Sequence, residues 1–123
     1  MAISLLLVDD HPFLLDGLER LLSLEPDFRV LGKCGTAADA LRAVETLRPE
    51  VVILDLTLRE GDGFTVLRGL AGRRPPDVIV LTATDNEEDL LEAVRLGARG
   101  VVLKAMAPRT LEETIRVVSP TTV

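Results

Sequence analysis

Residues 3–12 read Ile3-Ser4-Leu5-Leu6-Leu7-Val8-Asp9-Asp10-His11-Pro12, an apolar run that stops abruptly at two acids, a histidine and a proline. A short run this rich in Leu, Ile and Val fits a strand buried on both faces. Pro12, with φ already fixed and no N–H to satisfy, suits the first turn of a helix. The two Asp residues therefore sit where a buried strand hands over to a helix.

The same unit repeats along the chain. Further apolar runs at Phe28 to Leu31, Val51 to Leu54, Val78 to Leu81 and Val101 to Leu103 predict four more strands. Between them, apolar residues recur at helical spacing. Leu14, Leu15, Leu18, Leu21 and Leu22 form one stripe that ends before Pro26, and Thr36 caps a second helix carrying Ala40, Leu41, Val44 and Leu47 up to Pro49. A third, weaker helix spans about Phe64 to Leu70, because Gly69 and Gly72 disfavour helix. Asp85 caps a fourth, with Glu87, Glu88 and Asp89 in its first turn and Gly97 as its stop, and a fifth runs from near Pro108 to Pro120.

Alternating strands and helices, joined by connections too long for hairpins, imply right-handed crossovers and a parallel sheet covered on both faces. The fold class is thus α/β, a doubly wound five-stranded sheet with five helices. Strands one, three and four are uniformly apolar and belong inside, whereas Arg29 and Lys33 on strand two and Lys104 after strand five suit edges. The predicted order is 2-1-3-4-5.

Composition narrows the function classes. A chain of 123 residues with 47% hydrophobic residues builds one domain with an aliphatic core, since it has three Phe and no Trp or Tyr. A net charge of −6 without a Lys/Arg block argues against direct nucleic-acid or anionic-membrane binding by this segment, and the adjacent Arg73 and Arg74 read as a solvated helix exit. Cys34, the sole cysteine, reads as a packing residue in a reducing compartment. No apolar run has a membrane-spanning length, and MAISLLLVDD lacks a basic leader, so a cytoplasmic location is expected.

Ligands of open α/β sheets bind at the carboxyl ends of the strands beside the switch in strand order. Strand one ends there in Asp9 and Asp10, strand three in Asp55, strand four in Thr82 and strand five in Lys104. Three carboxylates so crowded repel by about 3 kcal/mol per pair at about 5 Å and an effective dielectric near 20. A hard divalent cation offsets that, and Mg²⁺ favours one or two carboxylates together with a phosphate. Lys104 adds a point charge for phosphate oxygens and Thr82 a hydroxyl. A single Asp after a strand is most often a cap or turn residue, but capping does not explain the whole set in order on neighbouring strands. His11, alone before Pro12, reads as a residue that starts the helix rather than as a ligand.

On these residues the chain resembles the receiver domain of bacterial two-component response regulators, from about Ile3 to Val118. The motifs are LLLVDDHP, VVILDLTL around Asp55, VIVLTA and ARGVVLK; DDHP and GARG resemble the subgroup that carries a helix-turn-helix DNA-binding domain after the receiver. The resemblance implies a flavodoxin-like receiver over residues 1–118, with 119–123 as a linker or tail. It implies that Asp55 accepts a phosphoryl group from a sensor histidine kinase. Mg²⁺ would be held by Asp9, Asp10 and the main-chain carbonyl of Thr57. Lys104, Thr82 and the main-chain N–H of Ala83 would then engage the phosphoryl oxygens. The fourth helix, fifth strand and fifth helix would change surface to control a transcription output domain outside this chain, with a phosphorylation-dependent homodimer through helices one and five or four and five. No enzymatic activity is implied beyond its own phosphorylation and autodephosphorylation.

The sequence departs from the family pattern in three places. Val101 stands where an aromatic switch residue is frequent, Leu58 and Arg59 replace Met-Pro ahead of the Gly61 and Gly63 turn, and Ala105 follows Lys104 where Pro is common, so no cis proline is expected there. Three rivals are weighed. An aspartyl phosphatase of the haloacid-dehalogenase type resembles DxDxT, but Thr57 occupies the second Asp position. A nucleotide-binding module lacks its glycine-rich loop. A degenerate receiver acting only as a protein-binding module is kept open by Val101.

Overall fold

The computed structural model describes residues 2–58 and 62–119. Strands β1 (Ile3–Val8), β2 (Phe28–Cys34), β3 (Val51–Leu54), β4 (Asp77–Thr82) and β5 (Gly100–Leu103) alternate with helices α1 (Pro12–Ser23), α2 (Ala37–Leu47), α3 (Gly63–Leu70), α4 (Glu87–Arg95) and α5 (Arg109–Val118). All neighbouring strands are parallel, in the order 2-1-3-4-5 that the apolar and charged strands predict.

Strand alternation splits the core into two layers. Leu5, Leu7, Ile53, Ile79 and Leu81 face one side and pack with Leu15, Leu18 and Leu22 of α1 and Leu111 and Ile115 of α5. Leu6, Val8, Leu54 and Val80 face the other, against Ala40 and Val44 of α2, Val66, Leu67 and Leu70 of α3, and Ala93 of α4. The three interior strands are buried on both faces, which is why their sequences are continuous apolar runs.

Side-chain chemistry sets most element ends. Thr36 caps α2 by accepting from the Asp39 N–H at 3.1 Å, and Gly97 closes α4 with φ of 110°, a left-handed value open to glycine. The cap expected at Asp85 falls one residue later: Asn86, the extended residue immediately before α4, accepts from the Asp89 N–H at 3.1 Å. Strand β2 runs three residues beyond the predicted Leu31, to Cys34. Its pairing with β1 slips by one residue there, Leu5 facing Val30 but Leu6 facing Gly32, so Leu31 falls between partners. Cys34 is half-buried and packs against the α2 side of the core, in keeping with a packing role.

Arg73 and Arg74 are exposed just past α3, in keeping with a solvated helix exit, and also pair with Glu45 and with the buried Asp77. The predicted departure at Arg59, the Gly61 half of the turn and the tail beyond Ser119 lie outside the described residues. Arg116 ties the last turn of α5 to the α1–β2 connection: it donates to Asp27 from Nε at 2.8 Å and from Nη2 at 3.1 Å, reaches Glu25 at 3.2 Å, and lies 4.7 Å over the Phe28 ring.

Candidate functional site

The carboxyl ends of β1 and β3 are adjacent in the sheet, Val8 pairing with Leu54, so the residues that follow each strand meet. Asp9 and Asp55 are buried, 3% and 1% exposed, and Asp10 lies partly open beside them. Main-chain bonds hold both turns in place: the Asp55 N–H donates to Val8 O at 2.9 Å and the Asp9 N–H to Cys34 O at 3.0 Å. Carboxylate oxygens of Asp9, Asp10 and Asp55, together with a ring nitrogen of His11, lie within 4.8 Å of one another.

Lys104 leaves β5 at the start of a 3-10 turn and spans the strand ends. Its Nζ lies 2.9 Å from Asp9 Oδ2 and 3.3 Å from Asp55 Oδ2, so one ammonium serves two buried carboxylates. Burial pulls the Lys104 pKa down, but the hydrogen bond it donates to Asp9 and the charges of Asp55 and Asp9 outweigh it and leave the group raised. The other oxygen of Asp55 is taken by Thr57, which donates from its N–H at 3.1 Å and from its hydroxyl at 2.9 Å. The hydroxyl contact goes beyond the main-chain carbonyl role expected of Thr57, and its signal in the sequence is a Thr two residues after an Asp in a turn.

Thr82 closes β4, fully buried, and its hydroxyl accepts from the Thr84 N–H at 3.3 Å. Ala83 is exposed on the bend that follows. Thus Asp9, Asp10, Asp55 and Lys104 are in mutual contact or close to it, whereas the Thr82 hydroxyl is engaged with the loop that leads to α4. Val101 is half-buried against the α2–α4 side of the core.

His11 precedes α1, as expected, but its side chain does not cap the helix. It turns to the acids instead: Nδ1 is 2.7 Å from Asp9 Oδ1 and 3.2 Å from Asp10 Oδ1, and the His11 N–H donates to Asp9 Oδ1 at 2.9 Å. His11 thus starts the helix as expected, and its ring in addition contacts the acids. A carboxylate at position i and a polar residue at i+2 form a local turn, which brings the ring back over Asp9. Beyond the acids, a cleft of about 390 Å³ opens between Pro12 and Leu15 of α1 and Lys33, Gly35 and Thr36.

The donor set is hard oxygen with one imidazole, crowded in negative charge, and so fits a divalent cation. No helix among the described residues is long and apolar enough to cross a membrane.

Comparison with known proteins gives this geometry a family. The family model for the response regulator receiver domain matches residues 5–116. The nitrate/nitrite response regulator protein NarL of Escherichia coli is 34% identical over 113 residues, which cover 88% of this chain and 50% of that protein. The DNA-binding transcriptional activator DevR/DosR of Mycobacterium tuberculosis is 34% identical over 115 residues, 93% of this chain and 53% of that protein. The chain thus spans about half the length of these curated relatives. Among solved structures, a LuxR-family DNA-binding response regulator from Staphylococcus aureus superposes with a TM-score of 0.89 at 29% identity, covering 94% of this chain and 98% of that one. A LuxR-family two-component response regulator from Aurantimonas gives 0.89 at 27% identity, over 99% and 93%. With a matching fold, strand order and profile over nearly its whole length, the chain belongs to the response regulator receiver domain family.

Proposed function

We propose that this chain is a phosphorylation-dependent signalling switch in which Asp55 is the phospho-acceptor. The observation that carries the reading is the convergence on Asp55 of Lys104 at one carboxylate oxygen and Thr57 at the other, beside Asp9 and Asp10. A carboxylate held this way presents a fixed nucleophile, and phosphoryl transfer depends mainly on positioning and charge neutralisation.

In the proposed reaction an Asp55 oxygen bonds to the donor's phosphorus while the bond from phosphorus to the donor breaks, leaving an acyl phosphate on Asp55. Asp9, Asp10 and the main-chain carbonyl of Thr57 would hold Mg²⁺, which when bound neutralises phosphoryl charge. Lys104 leaves its bridge between Asp9 and Asp55 to pair with phosphoryl oxygens. Thr82 turns its hydroxyl from the Thr84 N–H to the new group, and the Ala83 N–H adds a donor. About two negative charges and three acceptor oxygens thus shift the loops after β4 and β5. The α4, β5 and α5 surface changes with them, biasing a two-state equilibrium.

The receiver would span residues 1–118, with 119–123 as the start of a linker or a C-terminal tail; relatives named as a response regulator and as a DNA-binding transcriptional activator support control of transcription by an output domain. A sensor histidine kinase is the proposed donor, and the cytoplasm the proposed location of this chain. Catalysis is limited to the chain's own phosphorylation and dephosphorylation, and a homodimer forms in the phosphorylated state. Acetyl phosphate with Mg²⁺ is expected to add one phosphoryl group to the wild type and none to Asp55→Asn, read by intact mass. Equal modification of both proteins would defeat the assignment, and modification of neither would favour a receiver that acts only by binding protein.

A further inference from the structure

We infer that His11 is a fourth protein ligand of the acid site, making it a site for first-row transition cations such as Co²⁺ as well as for Mg²⁺; this rests on the phospho-acceptor reading above. Donors bonded at about 2.1 Å and at right angles on one ion lie about 3.0 Å apart, and opposite donors about 4.2 Å apart. Nδ1 of His11 lies 2.7 Å from Asp9 Oδ1 and 3.2 Å from Asp10 Oδ1, and the four-residue set spans 4.8 Å. The side chains therefore already stand near the spacing of one coordination sphere.

The donor types decide which ions gain from the fourth ligand. Carboxylates suit Mg²⁺, whereas imidazole suits Co²⁺, Ni²⁺, Cu²⁺ and Zn²⁺, so His11 adds affinity for these ions and little for Mg²⁺. Binding takes the neutral ring in the tautomer with its proton on Nε2, the Nδ1 lone pair facing the ion; any proton on Nδ1 is released to solvent. The main-chain bond from the His11 N–H to Asp9 Oδ1, at 2.9 Å, is independent of the ring. His11→Ala thus removes the imidazole and leaves that hold on Asp9.

The test uses the whole chain without a polyhistidine tag. Calorimetric titration should show His11→Ala weakening Co²⁺ binding about tenfold or more while Mg²⁺ binding changes by less than about threefold. Because His11 is the only histidine, a strongly shifted imidazole N–H proton resonance in the Co²⁺-loaded wild type has a single source, and Mg²⁺ should produce none. Equal weakening of both metals would mean that the ring acts only through Asp9 and would overturn the proposal. So would an unshifted imidazole signal, a measurement that stands even if His11→Ala does not fold. Unchanged Mg²⁺ binding in Asp10→Asn would instead strike at the acid site itself.

Discussion

One ammonium shared by two buried carboxylates makes Lys104 a structural residue as well as a proposed catalytic one. Its replacement leaves Asp9 and Asp55 facing each other without a counter-charge, and removing one partner of a buried ion pair costs about 3 kcal/mol. Lys104→Met should therefore lower unfolding free energy by about that amount in urea titrations without divalent ions. The folded pKa of Lys104 is raised above its ordinary 10.5, so its contribution is complete below pH 10.5 and is lost as pH rises through the folded value. The gap between wild type and variant should accordingly stay level from neutral pH upward and close only above pH 10.5; a gap that closed near pH 8 would contradict the assignment. At this scale the sequence showed which residues stand at the strand ends, because strand and turn chemistry are local. It did not show their pairing. That Thr57 and His11 turn back on the acids depends on turn geometry, which residue type alone leaves open.

At the scale of elements, the start of α3 depends on Gly63. A Cβ on Gly63 would lie 2.5 Å from Leu56 Cα and 2.6 Å from Asp55 O, backbone atoms that cannot swing aside. Gly63→Ala should destabilise the chain by about 2–3 kcal/mol, measured by thermal or urea unfolding, and displace the loop carrying Asp55. The Arg116 network offers a milder test: its ion pairs are half-exposed, so Arg116→Ala should cost about 1 kcal/mol including the ring contact. The Arg116 bond holds Asp27 below the usual carboxylate range, so this cost should fall away as acid protonates Asp27, below its ordinary 3.8. Interior strands β1 and β3 match their predicted bounds because they are apolar throughout. The predicted weakness of α3 has a different meaning in the structure: Gly72 lies beyond the helix, and at Gly69 a Cβ would come 2.7 Å from Leu41 Cδ2, so the missing side chain lets α2 and α3 approach. Such a tertiary reason for a glycine has no local signature.

For the molecule as a whole, a ligand that binds only the folded state stabilises all of it. Mg²⁺ at a hundred times its Kd should add about 2.7 kcal/mol and raise Tm by about 10 °C in a domain of this size. Scanning calorimetry should find that shift in the wild type and not in Asp10→Asn. Topology was legible because alternation of strand and helix leaves few un-knotted arrangements, and charge on β2 and after β5 assigned the edges. The slip in β2 was not legible, since it depends on pairing with β1 rather than on its own residues. It changes the strand's parity: Phe28 and Val30 face the α1 side, yet after Leu31 it is Lys33 that reaches α1, bonding Asp16 at 2.9 Å and Glu19 at 2.8 Å, while Cys34 packs on the opposite layer. Among the described residues β2 has no neighbouring strand on its outer side, and such an edge invites extension by another chain. A straight incoming strand would match the row before Leu31 or the row after it, but not both, and would meet Arg29 and Lys33 on the way. The irregular, charged rim thereby disfavours pairing of β2 with the same edge of a second copy.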